Sequence, residues 1–211
     1  MKFLDPIGWR VTGLRNRLMD RFWERRLGIQ TRGSVEVNRP DSNRYATFAY
    51  GSIHRIVRHL DLRPTDAFVD IGCGKGRVIC SAARFDVRRV IGVDIDPALC
   101  EQARTNASTM RGRRAIVEVS NCGAQDFDYG ECTKFFLFNS FGAATLKLVL
   151  ESIERSLRED PRPIRFAYVN PFHDAMLAAI DRFEQYDHWS RTPWSGLKFD
   201  VSFWRNNAGA G

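Results

Sequence analysis

The chain has 211 residues, 44% of them hydrophobic and 27% charged, which suits one globular domain with a sizeable core and excludes a disordered or fibrous protein. No apolar run reaches the roughly 20 residues of a membrane span, and Asp5 and Arg10 interrupt the stretch where an export signal would carry its apolar centre, so a cytoplasmic protein is expected. The formal charge is +7 and uneven: residues 1–44 hold ten Lys/Arg against five Asp/Glu, so the first fifth of the chain carries +5 of it.

Residues 6–27 read as an amphipathic helix. Ile7, Val11, Leu14, Leu18 and Phe22 recur at helical steps, with Arg15, Arg17, Arg21 and Arg25 around them. Pro6 suits its first turn and Gly28 its end. The basic excess reads either as a solvated helix face or as a surface for an anionic partner, nucleic acid or lipid headgroup. A second helix is expected over 47–60, carrying Phe48, Ile53, Ile56, Val57 and Leu60; His54 and His59 on it are expected to be surface or packing residues. Residues 1–60 form a helical extension to a main unit over 61–211, both within one structural domain.

From residue 66 the pattern becomes strand–helix alternation. Strands are expected at "AFVDI", "RRVIGVD", "AIVEVS", "KFFLFN", "IRFAYVN" and "LKFDVSFWR", and helices over 76–86, 97–111, 143–158 and 173–183. Apolar strands alternating with helices predict an α/β fold with a doubly wound, mostly parallel sheet. The closing segment has two strand-like runs with no helix between them, so a late strand must run antiparallel. The five cysteines, 73, 80, 100, 122 and 132, contain no CxxC pair, which argues against a zinc site or disulfide framework. No metal is expected.

The stretch "VDIGCGKGRV" joins a strand to a helix. Three glycines there let a ligand lie against backbone. A phosphate loop would need glycine where Val69 stands, and a dinucleotide fingerprint would need its third glycine where Arg77 stands. Asp70, at the strand end, would repel a pyrophosphate and attract an ammonium group. Asp94 ends the next strand and can accept from both hydroxyls of a ribose. A ribose and a positive charge without phosphate point to S-adenosylmethionine.

Through "VDIGCGKG" and "GVDIDP" the chain resembles the class I (Rossmann-like) S-adenosylmethionine-dependent methyltransferases, best over residues 66–170. The resemblance implies a seven-stranded sheet with an antiparallel last strand. It implies that Asp70, Gly72, Cys73, Gly74 and Gly76 form the methionine side of the cofactor site, and that Asp94 and Ile95 hold the ribose. After the third strand the family often has a Gly-Asp-Ala run; here "SNCGAQDF" puts Gly123 at the acid's place, with Asp126 shortly after, and Asn121, Cys122 and Ala124 are assigned to the adenine pocket.

The fourth strand ends "Asn139-Ser140-Phe141", which resembles a shortened form of the Asn/Asp-Pro-Pro-Tyr/Phe run of amine methyltransferases. Asn139 is therefore a candidate for orienting the acceptor and touching the cofactor; the alternative is a strand-end Asn capping the next helix. Asn170, ending the fifth strand, carries the same two readings. Tyr45, in "RYATFAY", resembles an upstream tyrosine that covers the cofactor in related enzymes, with a packed helix start as the alternative. His173 is the one histidine placed to act as a base, with a helix-start role as the alternative. The expected function is methyl transfer to an unidentified acceptor, nitrogen slightly favoured, on a small molecule or a protein side chain. The alternatives are RNA methylation and a methyltransferase-fold binding module docked through the basic helix.

Overall fold

A computed structural model describes residues 6–33, 41, 47–192 and 195–207. Six helices appear in chain order: α1 Pro6–Leu27, α2 Tyr50–His59, α3 Arg77–Ala82, α4 Pro97–Thr109, α5 Ala143–Glu159 and α6 Asp174–Ala178. The strands are β1 Ala67–Ile71, β2 Arg89–Asp94, β3 Ile116–Asn121, β4 Lys134–Phe138, β5 Arg165–Val169, β6 Phe183–Trp189 and β7 Val201–Asn206. They make one sheet in the order β3-β2-β1-β4-β5-β7-β6. The β1–β2, β1–β4, β2–β3 and β4–β5 pairs are parallel, and β7 is antiparallel to both its neighbours. The order reverses beside β1, so the cleft beyond the β1 and β4 carboxyl ends is the ligand crevice of such sheets.

Both faces of the sheet are covered, and the alternation along each strand sorts the core into two halves. Phe68, Val90 and Phe136 pack toward α2, α3 and α4. Val69, Ile91 and Phe135 pack toward α5 and α6, where Leu146, Val149, Ile153 and Leu177 meet them. α3 and α6 are much shorter than their sequence pattern predicts. α3 stops at Ala82 because the next carbonyl, Ala83 O, accepts from Arg114 N and Ala115 N at 2.8 and 3.2 Å. α6 stops at Ala178 because Phe183 is claimed by β6, where it pairs with Asn206.

α1 has the predicted bounds, and its orientation is one that the sequence left open. An amphipathic helix on a globular protein normally turns its apolar stripe inward. Here Val11, Leu14, Leu18 and Phe22 are 51–58% exposed, while Thr12, Glu24 and Leu27 are buried. The reason is Arg77, which opens α3 and is only 3% exposed. Its Nε donates to Thr31 Oγ1 at 2.8 Å, Nη1 to Asp20 Oδ2 and Phe48 O at 3.0 Å each, and Nη2 to Glu24 Oε1 at 3.4 Å. The guanidinium also lies 4.4 Å from the centre of the Tyr50 ring. A buried guanidinium must be paired, and the acids that pair it lie on the polar face of α1. Asp20 also accepts the Tyr50 amide at 3.0 Å, so α2 starts there rather than at residue 47. His54 and His59 are packing residues: His54 lies between Trp23 and Phe85, and burial, with Arg58 and Arg84 nearby, lowers its pKa. His59 sits among Tyr186, Trp189 and Phe203.

Arg77→Met takes the buried cation from half-buried Asp20 and from buried Glu24, which keeps Arg32, and should cost about 3 kcal/mol of unfolding free energy. Arg77→Lys should recover only a minor part, because one ammonium cannot span Thr31, Asp20, Phe48 and Glu24 together. Urea denaturation of the three proteins measures both effects.

Candidate functional site

β1 delivers the chain into the glycine turn. Gly72 N and Cys73 N donate to Val93 O at 2.8 and 3.0 Å, which holds the turn against the end of β2. Gly72, Gly74 and Gly76 have φ of 83°, 53° and 81°, the left-handed region that side chains disfavour. At Gly72 an added Cβ would overlap Ser140 Oγ, and at Gly76 it would come within 3.2 Å of Ala103 on α4. Ser140 Oγ in turn donates to Ile71 O at 3.0 Å, which binds the end of β4 to the end of β1.

Two carboxyl groups face the resulting cavity of about 630 Å³. Asp94 is held from behind: Gly74 N donates to Oδ2 at 2.8 Å and Asp96 N to Oδ1 at 2.9 Å. One acceptor position on each oxygen remains for a ligand. Burial raises its pKa, and the two amide bonds oppose that. Asp70 is 2% exposed, and its carboxyl group accepts no hydrogen bond from any described residue. Burial first, and the charge of Asp94 second, push its pKa well above the ordinary carboxylate range. A ligand ammonium would satisfy Asp70, and vicinal hydroxyls would satisfy Asp94, so the residues fit an amino-acid-bearing nucleoside. The same burial and the two acids push the Cys73 thiol up, which removes it as a thiolate nucleophile.

The cavity brings together Asp70, Gly72, Cys73, Asp94, Ile95 and Asn139 from the sequence-derived set. Gly74 acts behind the wall, through its bond to Asp94, and Gly76 precedes α3 in the αL conformation. Asn121 and Cys122 do not line the cavity. The Asn121 amide donates to Asp94 O and Ile95 O at 3.1 and 3.0 Å, and Cys122 donates its backbone N–H to Asp94 O, so both brace the β2 turn. Ala124 lines that side as expected, joined by Gln125 on a single 3-10 turn, Ala124–Asp126. His173 stands at the start of α6 and does not line the cavity, its backbone N–H directed to Tyr168 Oη at 3.4 Å. Tyr45 lies outside the described residues.

The far end of the cavity joins Asn139 and Asn170 to three phenylalanines. Phe48, Phe138 and Phe199 have ring centres 5.1–6.1 Å apart and come from three separate segments. Asn139 and Asn170 have φ of 37° and 55°. Neither caps a helix: Gly142 precedes α5 and His173 precedes α6. Sequence reasoning missed the aromatic cluster, although Phe138 directly precedes Asn139. It also missed Asp41, whose carboxylate accepts from Thr145 N at 2.9 Å while its carbonyl accepts from Gly142 N at 3.0 Å. The α1–α2 connection is thereby fastened to the first turn of α5, and the Thr145 amide chiefly lowers the Asp41 pKa.

Residues 68–160 match the methyltransferase-domain family. The chain is 26% identical over 166 residues to a histone-lysine N-methyltransferase, H3 lysine-79 specific, of Dictyostelium discoideum, a match covering 72% of this chain and 8% of that protein. It is 38% identical over 66 residues to a ribosomal protein L11 methyltransferase of Thiobacillus denitrificans, covering 30% of this chain and 22% of that one. The chain thus spans less than a quarter of the length of these two relatives. Among solved structures, a ribosomal protein L11 methylase of Lactobacillus delbrueckii superposes with TM-score 0.59 at 14% identity, over 77% of this chain and 80% of that one. An RNA methyltransferase of Salinibacter ruber, in complex with S-adenosyl-L-homocysteine, superposes with TM-score 0.54 at 20% identity, over 76% and 94%. These structural likenesses are likenesses of fold.

The folded pKa of Asp70 lies above its unfolded value of about 3.9, so above that pH the native state retains a proton the unfolded chain has released. Its contribution to stability therefore falls as pH rises from the unfolded toward the folded pKa, and the cost is complete above the folded value. Asp70→Asn should raise the melting temperature of the ligand-free protein at pH 8 by about 2–4 °C, with the gain vanishing near pH 4. Calorimetric melts across that pH range check the direction and the window.

Proposed function

We propose that this chain, whose residues 68–160 match the methyltransferase-domain family, is a class I S-adenosylmethionine-dependent methyltransferase that transfers a methyl group to a nitrogen acceptor on a protein side chain or a small molecule. The observation that carries this reading is the pair Asp70 and Asp94, flanking a left-handed glycine turn in one cavity. Asp70 would take the cofactor's ammonium group, Asp94 its ribose hydroxyls, and the Gly72–Cys73 backbone its methionine portion. Ile95 and Leu99 would offer the adenosine an apolar surface, with Ala124 and Gln125 at its edge.

When bound, the cofactor supplies a methyl group made electrophilic by a sulfonium. The protein's task is then alignment and exclusion of water. Asn139 and Asn170, both at strand ends on the cavity, would accept hydrogen bonds from acceptor N–H groups and so direct the nitrogen lone pair. The faces of Phe48, Phe138 and Phe199 suit the positive charge that an alkylated nitrogen gains. Beside Asn139 and Asn170 the described lining offers no histidine, so in this reading the nitrogen arrives uncharged and needs no base from His173. Tyr45 is proposed to cover the cofactor. An RNA acceptor is the second reading, favoured by the +5 carried by residues 1–44.

Calorimetry should detect S-adenosylmethionine and S-adenosylhomocysteine binding to the wild-type chain; no binding at millimolar ligand would refute the reading. Asp94→Ala removes two charge-assisted hydrogen bonds of about 1.5–3 kcal/mol each and should weaken binding by about 10²–10⁴-fold. An unchanged affinity would show that the ribose lies elsewhere. Asn139→Gly tolerates the left-handed backbone while deleting the amide. It should keep S-adenosylhomocysteine affinity within about threefold and lower methyl transfer roughly 10²-fold. Tritium transfer from labelled cofactor into protein, small-amine and RNA fractions reads that loss, and label confined to RNA would favour the second reading.

A further inference from the structure

The orientation of α1 leaves a surface that methyl transfer does not use. Val11, Leu14, Leu18 and Phe22 lie within an arc of about 80° at 3.6 residues per turn, and each is more than half exposed. Met19, 40% exposed, widens the patch. Five of the nine large hydrophobic side chains exposed among the described residues thus fall within twelve consecutive positions, which is a patch rather than scattered exposure. Every arginine of the helix is exposed. At helical spacing Arg10, Arg17 and Arg21 flank the stripe on one side and Arg15 and Arg26 on the other, with Arg25 continuing its line. The helix's two acids, Asp20 and Glu24, are turned inward to Arg77.

We propose that this outer face of α1 docks the protein in the plane of an anionic lipid surface, with the apolar stripe at the acyl boundary and the arginines at lipid phosphates. An interfacial helix needs both features in this arrangement. Nucleic acid would use the arginines and gain nothing from four exposed apolar side chains in a row. A second copy would bring arginine rows against arginine rows, with no outward acid on the helix to pair them. No helix among the described residues is long and apolar enough to cross a membrane, so the contact is peripheral. The inference does not depend on the methyl acceptor, and the inward face of the helix is held by Arg77.

Vesicle flotation of the full chain tests it. Binding is expected to phosphatidylcholine vesicles containing about 30% phosphatidylglycerol and not to phosphatidylcholine alone, and it should weaken as salt rises. Leu14→Ser with Leu18→Ser should reduce that binding at least tenfold, and Arg17→Glu with Arg21→Glu should do the same. Both double variants should melt within about 2 °C of wild type, because the replaced side chains are exposed, and should bind S-adenosylhomocysteine as wild type does. The proposal is overturned by absence of binding to anionic vesicles, or by vesicle binding that survives the serine variant. It is equally overturned if the stripe is needed for binding tRNA but not vesicles, or if sedimentation shows a dimer that the serine variant dissolves.

Discussion

One buried cation organises the half of the molecule that lies over the ligand crevice. Arg77 follows the glycine turn directly, so its backbone is fixed by the loop while its side chain reaches Asp20 and Glu24 on α1, Thr31 after it, and the Phe48 carbonyl before α2. A guanidinium taken out of water must find partners in several directions, and each partner is drawn to a definite place. The position of Phe48 on the cavity, the start of α2 and the outward turn of the α1 stripe are three results of one desolvation problem. The residue that rules out a dinucleotide fingerprint by occupying its third glycine position is therefore also the residue that builds the cover.

The cavity shows the complementary case, a carboxyl group left without a partner. Asp70 is buried beside Asp94 with no described group to neutralise it. Its cost is offset by the packing of β1 and its neighbours, and a cationic ligand would remove it. Asp94 is differently placed, because two backbone amides already hold it. The pair thus has unequal demands: one carboxyl asks for a cation and the other has only room for hydroxyls.

The mostly parallel sheet and the acids at its strand ends were legible because their causes are local: apolar strands alternating with helices, and Asp70 and Asp94 closing two of those strands. The bounds of α1 were legible for the same reason, from Pro6 and Gly28. Its orientation was not, because the stripe's periodicity says which residues share a face and not which face meets the core; Arg77 decides that from 53 residues beyond Glu24. Likewise Asn121 stands in the right segment, yet its amide turns to the Asp94 and Ile95 carbonyls. The phenylalanine cluster could not be assembled from spacing, since Phe48, Phe138 and Phe199 meet only once the sheet is closed. Asp41 was hidden for the same reason, being a cap supplied to α5 from 104 positions away.

The left-handed backbone at Asn139 and Asn170 limits how this site can change over evolutionary time. At such φ values the accessible alphabet shrinks to little more than asparagine, aspartate and glycine. Two of those keep a polar side chain over the cavity and one deletes it, so neither position can drift gradually in size or shape. The three phenylalanines carry no such backbone restriction among the positive-φ residues described. Divergence toward new acceptors would therefore proceed by resizing the aromatic wall, residue by residue, around two asparagines that the backbone keeps nearly invariant in kind.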